Sequence, residues 1–403
     1  MRGPESPAAA RSLGSAAGAD SPEVLPAAAE ARERELVQEA VALVDDQDRL
    51  LRDFYTLIFA LGGPEVVGMF PTDLRRQRQE FGRTLVQWVT ADDPATLAAH
   101  LDQLGADHRK FDVEPAHYAV AGEALVAAVR GRSGGLLTAA HEDALRGSYG
   151  RLATVMIEGA LRRIAEPPYW QAEIVGHHRY KDDFAVVTLQ PAAPYPYRAG
   201  QYTTVELASR PKLWRQMSIA SAPRANNTFD LHVRAIPGGD VSAALVRHTE
   251  PGDRLKIGPA RGGALVVEPG TSSGLLCLAA GAGAAPIAAV VESVLTWRNP
   301  PTLYAYVGAR TAEDLYPVHY LTSRTLGLPD IHIQGIVSDE PDFPGLRGRV
   351  ESIAPGLAPW ASLGVDVLVA GPTRMMDQTV SNLRDAGVPA DRIRFDQYEA
   401  VNL

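Results

Sequence analysis

CLAAGAGAAPIAAVVESVL (277–295) is the stretch that decides the fold of this chain. It begins as an apolar strand pattern, turns on small residues and continues as an apolar helical pattern. Glycines let a ligand approach the backbone closely, and a helix start presents N–H groups that favour a phosphate. Similar turns follow apolar strands in RQMSIASAP (215–223) and VLVAGPTRMM (367–376). A single turn of this kind is a weak signal, so the prediction depends on the order and spacing of all three turns.

The composition bounds the classes of protein that need to be considered. With 403 residues and 46% hydrophobic content, the chain is long enough for two or three domains with sizeable cores. A net charge of −9 argues against a nucleic-acid partner, which needs a basic field. No uninterrupted apolar run approaches the ~20 residues that a membrane span needs. Residues 1–34 are rich in Ala, Pro, Gly and Ser and predict a disordered tail without a secretory core.

The single cysteine, Cys277, limits the redox chemistry. No intrachain disulfide can form, so a reducing, cytoplasmic compartment fits. Zinc-thiolate and iron–sulfur sites are also excluded, because they need several cysteine ligands and the chain has one. A redox metal would have to be held by histidine, carboxylate or a macrocycle.

The period of the apolar residues divides the chain into three parts. Residues 35–165 repeat at three- and four-residue intervals and predict an all-α domain. Residues 168–268 contain short alternating strands separated by Pro- and Gly-bearing turns, which predicts an antiparallel β-barrel. Residues 272–403 alternate strand and helix, which predicts a parallel sheet covered by helices.

One histidine of the helical part continues an apolar stripe. Leu97, Leu101, Leu104 and His108 are spaced by four, three and four residues and therefore share one helical face. Two roles for the histidine explain this stripe. It can be a buried core residue whose ring is hydrogen-bonded, or it can be the ligand of a metal.

Two further stripes favour the ligand explanation. Phe54, Tyr55 and Ile58 place a tyrosine on a core face, and Gln77 shares a face with Phe81. An inward tyrosine and glutamine together with one histidine resemble a gas-binding haem pocket more than an ordinary core.

The stretch RQMSIAS carries the chemistry that a flavin nucleotide needs. Arg215 can bind a phosphate through two parallel hydrogen bonds, and Ser218 can donate or accept at the edge of the ring.

Residues 35–165 resemble the globin domain of a flavohaemoglobin. The resemblance runs through FY (54–55), FPTDLRRQ (70–77), DHRKFDVEPAHY (107–118) and SYGRLATVMIEGA (148–160). It implies His108 as the proximal ligand to haem iron, Tyr55 and Gln77 as distal residues, Tyr118 beside the proximal histidine and Phe70 against the haem. The family's proximal glutamate falls on Ala160, with Glu158 nearby on another face.

The rest of the chain resembles the ferredoxin-reductase-like module of the same family. Its segments are RAGQY (198–202), RQMS (215–218), PGGDVS (237–242), AAGAGAAP (279–286), VGAR (307–310), VAGP (369–372) and FDQY (395–398). The implied FAD and NAD(P) contacts are Gln201, Tyr202, Arg215, Met217, Ser218, Gly239, Val241, Ser242, Gly281, Gly283, Pro286, Arg310, Gly371, Pro372 and Tyr398. The chain departs from the family pattern at Met217, Ala282, Ala370 and Asp396.

The resemblance implies a three-domain enzyme that binds haem b, FAD and NADH or NADPH. Electrons would pass from NAD(P)H to FAD and on to haem, where bound O2 converts nitric oxide to nitrate. O2 and NO would be its small-molecule substrates, and no obligatory protein partner is implied. Two alternatives stay open: a haem gas sensor or carrier with an impaired reductase, and an FAD-dependent NAD(P)H reductase of another acceptor.

Overall fold

A computed structural model of the protein describes residues 27–90, 94–361 and 364–395. The chain divides into two compact units. Of the described residues, the helical unit comprises 27–68, 73–90, 94–106 and 113–161. The second unit comprises 69–72, 107–112 and the described residues from Arg162 to Phe395.

Six α-helices lie in the N-terminal part of the chain, as the three- and four-residue period predicts. They are α1 (Ala27–Ala42), α2 (Gln47–Gly68), α3 (Arg75–Thr90), α4 (Pro94–His108), α5 (Pro115–Arg132) and α6 (Ala139–Arg162). Proline begins α4 and α5, because a first-turn residue needs no hydrogen-bonded N–H.

The start of α1 corrects one expectation. Residues 27–34, assigned to the tail from their composition, are helical. Alanine and arginine are good helix formers, and Arg32 pairs with Glu35 at 2.9 Å along one face. Val37 and Ala40 are buried, so packing fixes the helix that composition alone did not predict.

Helices α2 and α3 meet through aromatic rings. Phe54 and Phe81 stack with their ring centroids 4.3 Å apart. The predicted apolar stripe of α2 is buried at Leu51, Phe54, Tyr55 and Ile58. The stripe is therefore the face that packs within the helical unit.

The second unit begins with a six-stranded antiparallel sheet. Its strands are β1 (Trp170–Lys181), β2 (Phe184–Pro191), β3 (Tyr202–Leu207), β4 (Arg215–Ser218), β5 (Phe229–Arg234) and β6 (Arg254–Ile257), in the spatial order β4-β3-β6-β1-β2-β5. A bridge between Ile219 and Leu231 brings the two edges together. The predicted antiparallel barrel is thereby confirmed.

A parallel six-stranded sheet follows, as the alternating pattern predicted. Its strands are β7 (Gly274–Ala280), β8 (Thr302–Ala309), β9 (Ile331–Val337), β10 (Leu346–Arg347), β11 (Asp366–Ala370) and β12 (Ile393–Phe395), in the order β10-β9-β8-β7-β11-β12. All five pairings are parallel. The carboxyl ends of the strands therefore lie at one edge, where ligands of such sheets bind.

Five helices complete the second unit. They are α7 (Asp240–Arg247), α8 (Ala284–Val294), α9 (Tyr316–Thr325), α10 (Val350–Ala361) and α11 (Thr373–Asp385). Helix α8 lies in the stretch 277–295, where the sequence predicted an apolar helix after the small-residue turn. The sequence pattern did not predict α9 and α10, and in α10 the helical pattern is interrupted by Pro355 and Pro359. None of the helices in the described ranges combines the length and apolar content needed to cross a bilayer.

Candidate active site

Tyr55 and Gln77 lie at the same helix packing in the helical unit. The ring of Tyr55 meets that of Phe81 edge-on at 6.4 Å between centroids. Gln77 precedes Phe81 by one helical turn, so both side chains project from one face of α3. The structure therefore brings the two predicted distal residues to the interface of α2 and α3.

The side-chain oxygen of Gln77 is buried without a hydrogen-bond partner among the residues that the structure describes. Such an atom costs about 1–3 kcal/mol unless a ligand or water pairs with it. An amide carries both donor and acceptor, and which of its atoms faces a ligand follows from the partner. Gln77 thus places a buried, unpaired amide oxygen on the face of α3 that carries Phe81.

The tyrosines of the helical unit are held neutral. Tyr55 is 6% exposed, and burial raises its pKa above the ordinary value for a phenol. Burial also raises the pKa of Tyr118 to about 12. Both hydroxyls therefore keep their proton at neutral pH, as a hydrogen-bond donor must.

His108 is the last residue of α4 and belongs to the segment 107–112 of the second unit. Desolvation lowers the pKa of His108 to about 4, against a weaker opposing effect of Asp107. At neutral pH the imidazole is therefore uncharged, which is the form that coordinates iron. Phe70 lies in the segment 69–72 of the same unit and is half-buried.

The departure from the family pattern on α6 is visible in the structure. Glu158 is exposed and Ala160 half-buried, so no carboxylate occupies the expected position. A Cβ atom on Gly159, between them, would lie 2.3 Å from the carbonyl oxygen of Asp102, so α4 and α6 pack backbone to backbone here.

Four of the predicted flavin residues lie on β3 and β4, namely Tyr202, Arg215, Met217 and Ser218. The two strands pair with Tyr202 opposite Ser218 and Thr203 opposite Met217. Arg215, Met217 and Ser218 are half-buried. One guanidinium nitrogen of Arg215 donates to the carbonyl oxygen of Trp214 at 3.0 Å. Arg215 and Met217 are two residues apart and therefore lie on the same face of β4. A phosphate contact and a ring contact to one flavin would share a face in this way.

Gln201 has a structural role that the sequence did not show. Its amide oxygen accepts from the Arg198 N–H at 2.8 Å, and its amide nitrogen donates to the Gly262 oxygen at 2.9 Å. The side chain therefore holds the turn before β3.

The turn before α7 is built on glycine. A Cβ atom on Gly239 would lie 2.8 Å from the hydroxyl of Ser242, which accepts the Ile236 N–H at 3.2 Å. The Gly239 N–H itself donates to the Ile236 oxygen at 2.8 Å. Of the three predicted backbone donors, this leaves those of Val241 and Ser242, which occupy the first turn of α7 where no intrahelical acceptor exists. This is a correction for Gly239, whose N–H is already used.

The glycine-rich turn after β7 packs against the end of β11. Gly281 has φ 56°, a conformation that favours glycine. A Cβ atom on Gly283 would lie 2.2 Å from the carbonyl oxygen of Ala370 and 2.4 Å from the Gly371 nitrogen. The two small-residue turns that the sequence singled out thus adjoin in the structure.

A cavity of about 420 Å³ opens beside this turn. It is lined by three of the predicted nicotinamide residues, Gly281, Arg310 and Pro372, whereas Gly283, Pro286 and Gly371 do not line it. The same cavity is lined by barrel and loop residues that sequence analysis missed: Phe184, His232, Arg234, Asp314, Ser338 and Asp339. They belong to no motif, so only the fold brings them to the glycine turn.

His232 is one of the barrel residues that line this cavity. Its Nδ1 atom is buried without a hydrogen-bond partner among the described residues. Burial lowers the pKa of His232 to about 4, with a weaker opposing effect of Asp230. Phe184 and Tyr316 meet the ring edge-on. A neutral imidazole therefore lines the cavity, with its Nδ1 atom buried behind the surface.

Arg234 and Asp314 form a charged pair at the same cavity, with 3.1 Å between guanidinium and carboxylate. Burial favours the neutral acid, but the hydrogen bond from Lys181 and the charge of Arg234 hold the pKa of Asp314 below its usual value. Tyr398 and Asp396, predicted near the flavin, lie outside the described residues.

Three family models match the chain in succession. Globin matches residues 72–156, the oxidoreductase FAD-binding domain matches 172–264 and the oxidoreductase NAD-binding domain matches 277–381. A flavohemoprotein from Rhodopirellula baltica is 25% identical over 400 residues, with 90% of this chain and 95% of the relative covered. The match therefore spans all three of the segments that the family models identify in this chain.

The chain belongs to the flavohaemoglobin family. The crystal structure of a flavohemoglobin from Malassezia yamatoensis shares its fold, with a TM-score of 0.71 at 19% identity, covering 91% of this chain and 98% of the other. The reductase half is similar to the reductase component of propane 2-monooxygenase from Mycolicibacterium goodii, at 25% identity over 224 residues. This chain spans 64% of that component, and the match covers 54% of this chain.

As a flavohaemoglobin, the chain is an NAD(P)H- and FAD-dependent haem oxidoreductase. Its residues fit the three cofactors. The neutral His108 and the unsatisfied amide of Gln77 suit haem, and Arg215 with the first turn of α7 suits FAD. The cavity beside Gly281 suits the dinucleotide.

Proposed function

We propose that this flavohaemoglobin is a nitric oxide dioxygenase, composed of a helical domain that runs from α1 to residue 165 and of the domains 168–268 and 272–403. NO and O2 combine to nitrate on taking up one electron, so one NAD(P)H supports two turnovers. Haem, when bound, supplies the iron at which both gases react, and FAD divides the two electrons of NAD(P)H into single steps. The single buried cysteine agrees with a reducing, cytoplasmic location.

The observation that carries the proposal is that Tyr55 contacts Phe81 at the packing of α2 against α3, and that Gln77 lies one helical turn before Phe81. The phenol is neutral and the amide oxygen of Gln77 is buried without a partner among the described residues. Hydrogen bonds from such groups to a small ligand that carries negative charge contribute about 1.5–3 kcal/mol each. A simple electron carrier has no use for them. We assign Tyr55 and Gln77 to hold O2, His108 to bind iron, and Tyr118 and Phe70 to fix the haem.

The chain's other residues have roles in the same proposal. Arg215, Tyr202, Met217 and Ser218 would contact the flavin, with Val241 and Ser242 donating to its pyrophosphate. The turn at Gly281 and Gly283, with Arg310, Pro372 and the cavity between them, would hold NADH or NADPH. Tyr398 is retained as a proposed flavin contact.

Consumption of NO by the purified chain tests the proposal. With FAD and NAD(P)H in air, we expect many equivalents of NO per haem to disappear and an equal amount of nitrate to form. A gas sensor with an impaired reductase would stop after one equivalent per haem. A reductase of another acceptor would oxidise NAD(P)H at a rate independent of NO. Either of these outcomes contradicts the proposal.

A further inference from the structure

Lys110 is a buried cation two residues after His108. It is 7% exposed, whereas lysine is seldom buried unless it is paired. The segment that contains it, 107–112, clusters with the second unit and not with the helices before and after it in sequence. The residue that the family uses to bind iron thus lies in a segment that packs as part of the reductase unit.

The ammonium group of Lys110 joins that segment to the flavin barrel. It lies 2.6 Å from the carboxylate of Asp107 and 3.1 Å from the hydroxyl of Thr204 on β3. It also lies 5.4 Å from the ring centroid of Trp214. Thr204 follows Tyr202 by two residues, and Trp214 immediately precedes Arg215. Lys110 therefore touches both strands that carry the flavin motif.

The barrel is shaped to admit this side chain. A Cβ atom on Gly258 would lie 2.2 Å from the Thr204 hydroxyl, 3.1 Å from Cε of Lys110 and 3.3 Å from its nitrogen. Any larger residue at position 258 would displace the contact. Glycine thus leaves the space that the lysine fills.

A second contact holds the same segment. The guanidinium of Arg109 donates to the carbonyl oxygens of Arg163 and Glu166, both at 2.6 Å. The carboxylate of Glu166 in turn pairs with Arg261 at 2.8 Å, and Arg261 exchanges backbone hydrogen bonds with Tyr202. Arg109 therefore links the segment, through Glu166 and Arg261, to the start of β3. Lys110 links it to Thr204 in the middle of the same strand.

We propose that Lys110 is a positioning residue for electron transfer from FAD to haem, because it fixes the segment carrying His108 against the strands carrying the flavin motif. The inference rests on the electron path of the proposed function, and not on NO as substrate. In each step one electron leaves the reduced flavin and reduces ferric iron to ferrous iron. Lys110 itself gains and loses neither proton nor electron. Its contribution is geometric, because the rate at which an electron passes between two cofactors falls steeply as the distance between them grows.

Two variants remove the contact from opposite sides, and one serves as a matched control. Lys110→Met removes the charge and keeps the length, leaving Asp107 with 37% of its side chain exposed to water. Thr204→Val removes the barrel partner and leaves the pair of Lys110 and Asp107 intact. Lys256→Met is the control, because Lys256 also lies on the barrel over an aromatic ring, Tyr169, at 4.7 Å.

Anaerobic stopped-flow spectroscopy of the full chain with FAD and haem separates the two electron steps. In both test variants we expect FAD reduction by NAD(P)H within twofold of wild type and haem reduction at least tenfold slower. Dithionite should reduce the haem of all forms equally fast, which shows that the haem pocket is intact. Lys256→Met should behave as wild type in every step. Haem reduction at the wild-type rate in both test variants overturns the proposal, and so does an equal slowing of FAD reduction.

Amide hydrogen exchange gives a readout that does not depend on activity. In the full chain as purified, residues 107–112 should exchange at least tenfold faster in Lys110→Met and Thr204→Val than in wild type or Lys256→Met. Unchanged exchange in both overturns the positioning role. If wild-type FAD fails to reduce haem at all, the electron path of the proposed function is wrong, and exchange alone then decides whether Lys110 fixes the segment.

Discussion

Gly283 and Ala370 approach so closely that a Cβ atom on Gly283 would lie 2.2 Å from the carbonyl oxygen of Ala370. This contact joins the glycine-rich turn after β7 to the end of β11, and both border the cavity assigned to the dinucleotide. A backbone carbonyl cannot move aside as a flexible side chain can. The shape of the cavity therefore depends on the absence of a side chain at this position.

Gly283→Ala should consequently raise the KM for NAD(P)H several-fold and destabilise the chain by about 1–3 kcal/mol, as overpacking does. Steady-state reduction of an artificial acceptor and chemical unfolding measure the two effects. Gly263→Ala makes the same chemical change where nothing lies within 4 Å, and it should leave both unchanged. Wild-type KM in Gly283→Ala would show that the turn does not contact the nucleotide.

His108→Ala should abolish the Soret band of bound haem or shift it to that of a weakly ligated form. His108 is held neutral by burial at the end of α4, so its loss removes the proposed protein ligand to iron. His100→Ala, on the same helix, is the control and should keep the wild-type spectrum. An unchanged spectrum in His108→Ala would refute the assignment.

Tyr55→Phe should slow catalytic NO consumption by roughly 10- to 150-fold, the equivalent of a charge-assisted hydrogen bond of about 1.5–3 kcal/mol. The ring and its packing against Phe81 remain, and only the hydroxyl is lost. Tyr149→Phe removes a hydroxyl from another tyrosine of the helical unit, which is half-buried, and should retain the wild-type rate. Equal rates in wild type and Tyr55→Phe would exclude a distal role for Tyr55.

Met217→Tyr should increase the FAD retained per haem after purification. Met217 is half-buried on the same face of β4 as Arg215, where the family has a tyrosine that stacks on the flavin ring. A thioether contact with an aromatic ring contributes only about 0.3–1.5 kcal/mol. Absorbance of FAD and haem in the purified protein gives the ratio. Equal FAD content in both forms would indicate that another residue already covers the ring.

His232 should make the chain less stable in mild acid. Burial lowers its pKa in the folded chain to about 4, below the ordinary histidine value of 6.5. The unfolded chain therefore takes up a proton first, and the stabilisation present above pH 6.5 is lost as the pH falls toward 4, by about 1.4 kcal/mol per pH unit.

His232→Phe keeps an aromatic ring at this position and removes its titration. Its free energy of unfolding should consequently fall less steeply between pH 6.5 and 4 than that of wild type. His332→Phe, at an exposed histidine of the same unit, should keep the wild-type slope. Identical slopes in His232→Phe and wild type would show that His232 titrates normally.

Local sequence patterns predicted most of the strands and helices. The period of apolar residues distinguishes a helix from a strand because each element buries one face, and this correctly predicted the helices of the first part and the parallel strands at Leu275 and Ile331. Where local signals conflict, prediction fails. Prolines concealed α10, and an alanine-rich tail composition concealed the first turns of α1, which packing at Val37 stabilises.

Sequence alone therefore determined the order of the three domains and the residues whose chemistry is written in short motifs, such as Arg215 and Gly283. Only the tertiary structure decided that His232 faces the dinucleotide cavity, that Gln201 is occupied in holding a turn, and that Lys110 joins the segment of His108 to Thr204. A short motif shows only which residues lie close to one another in the chain. Lys110 and Thr204 are 94 residues apart, and contacts at such separation exist only once the backbone has folded.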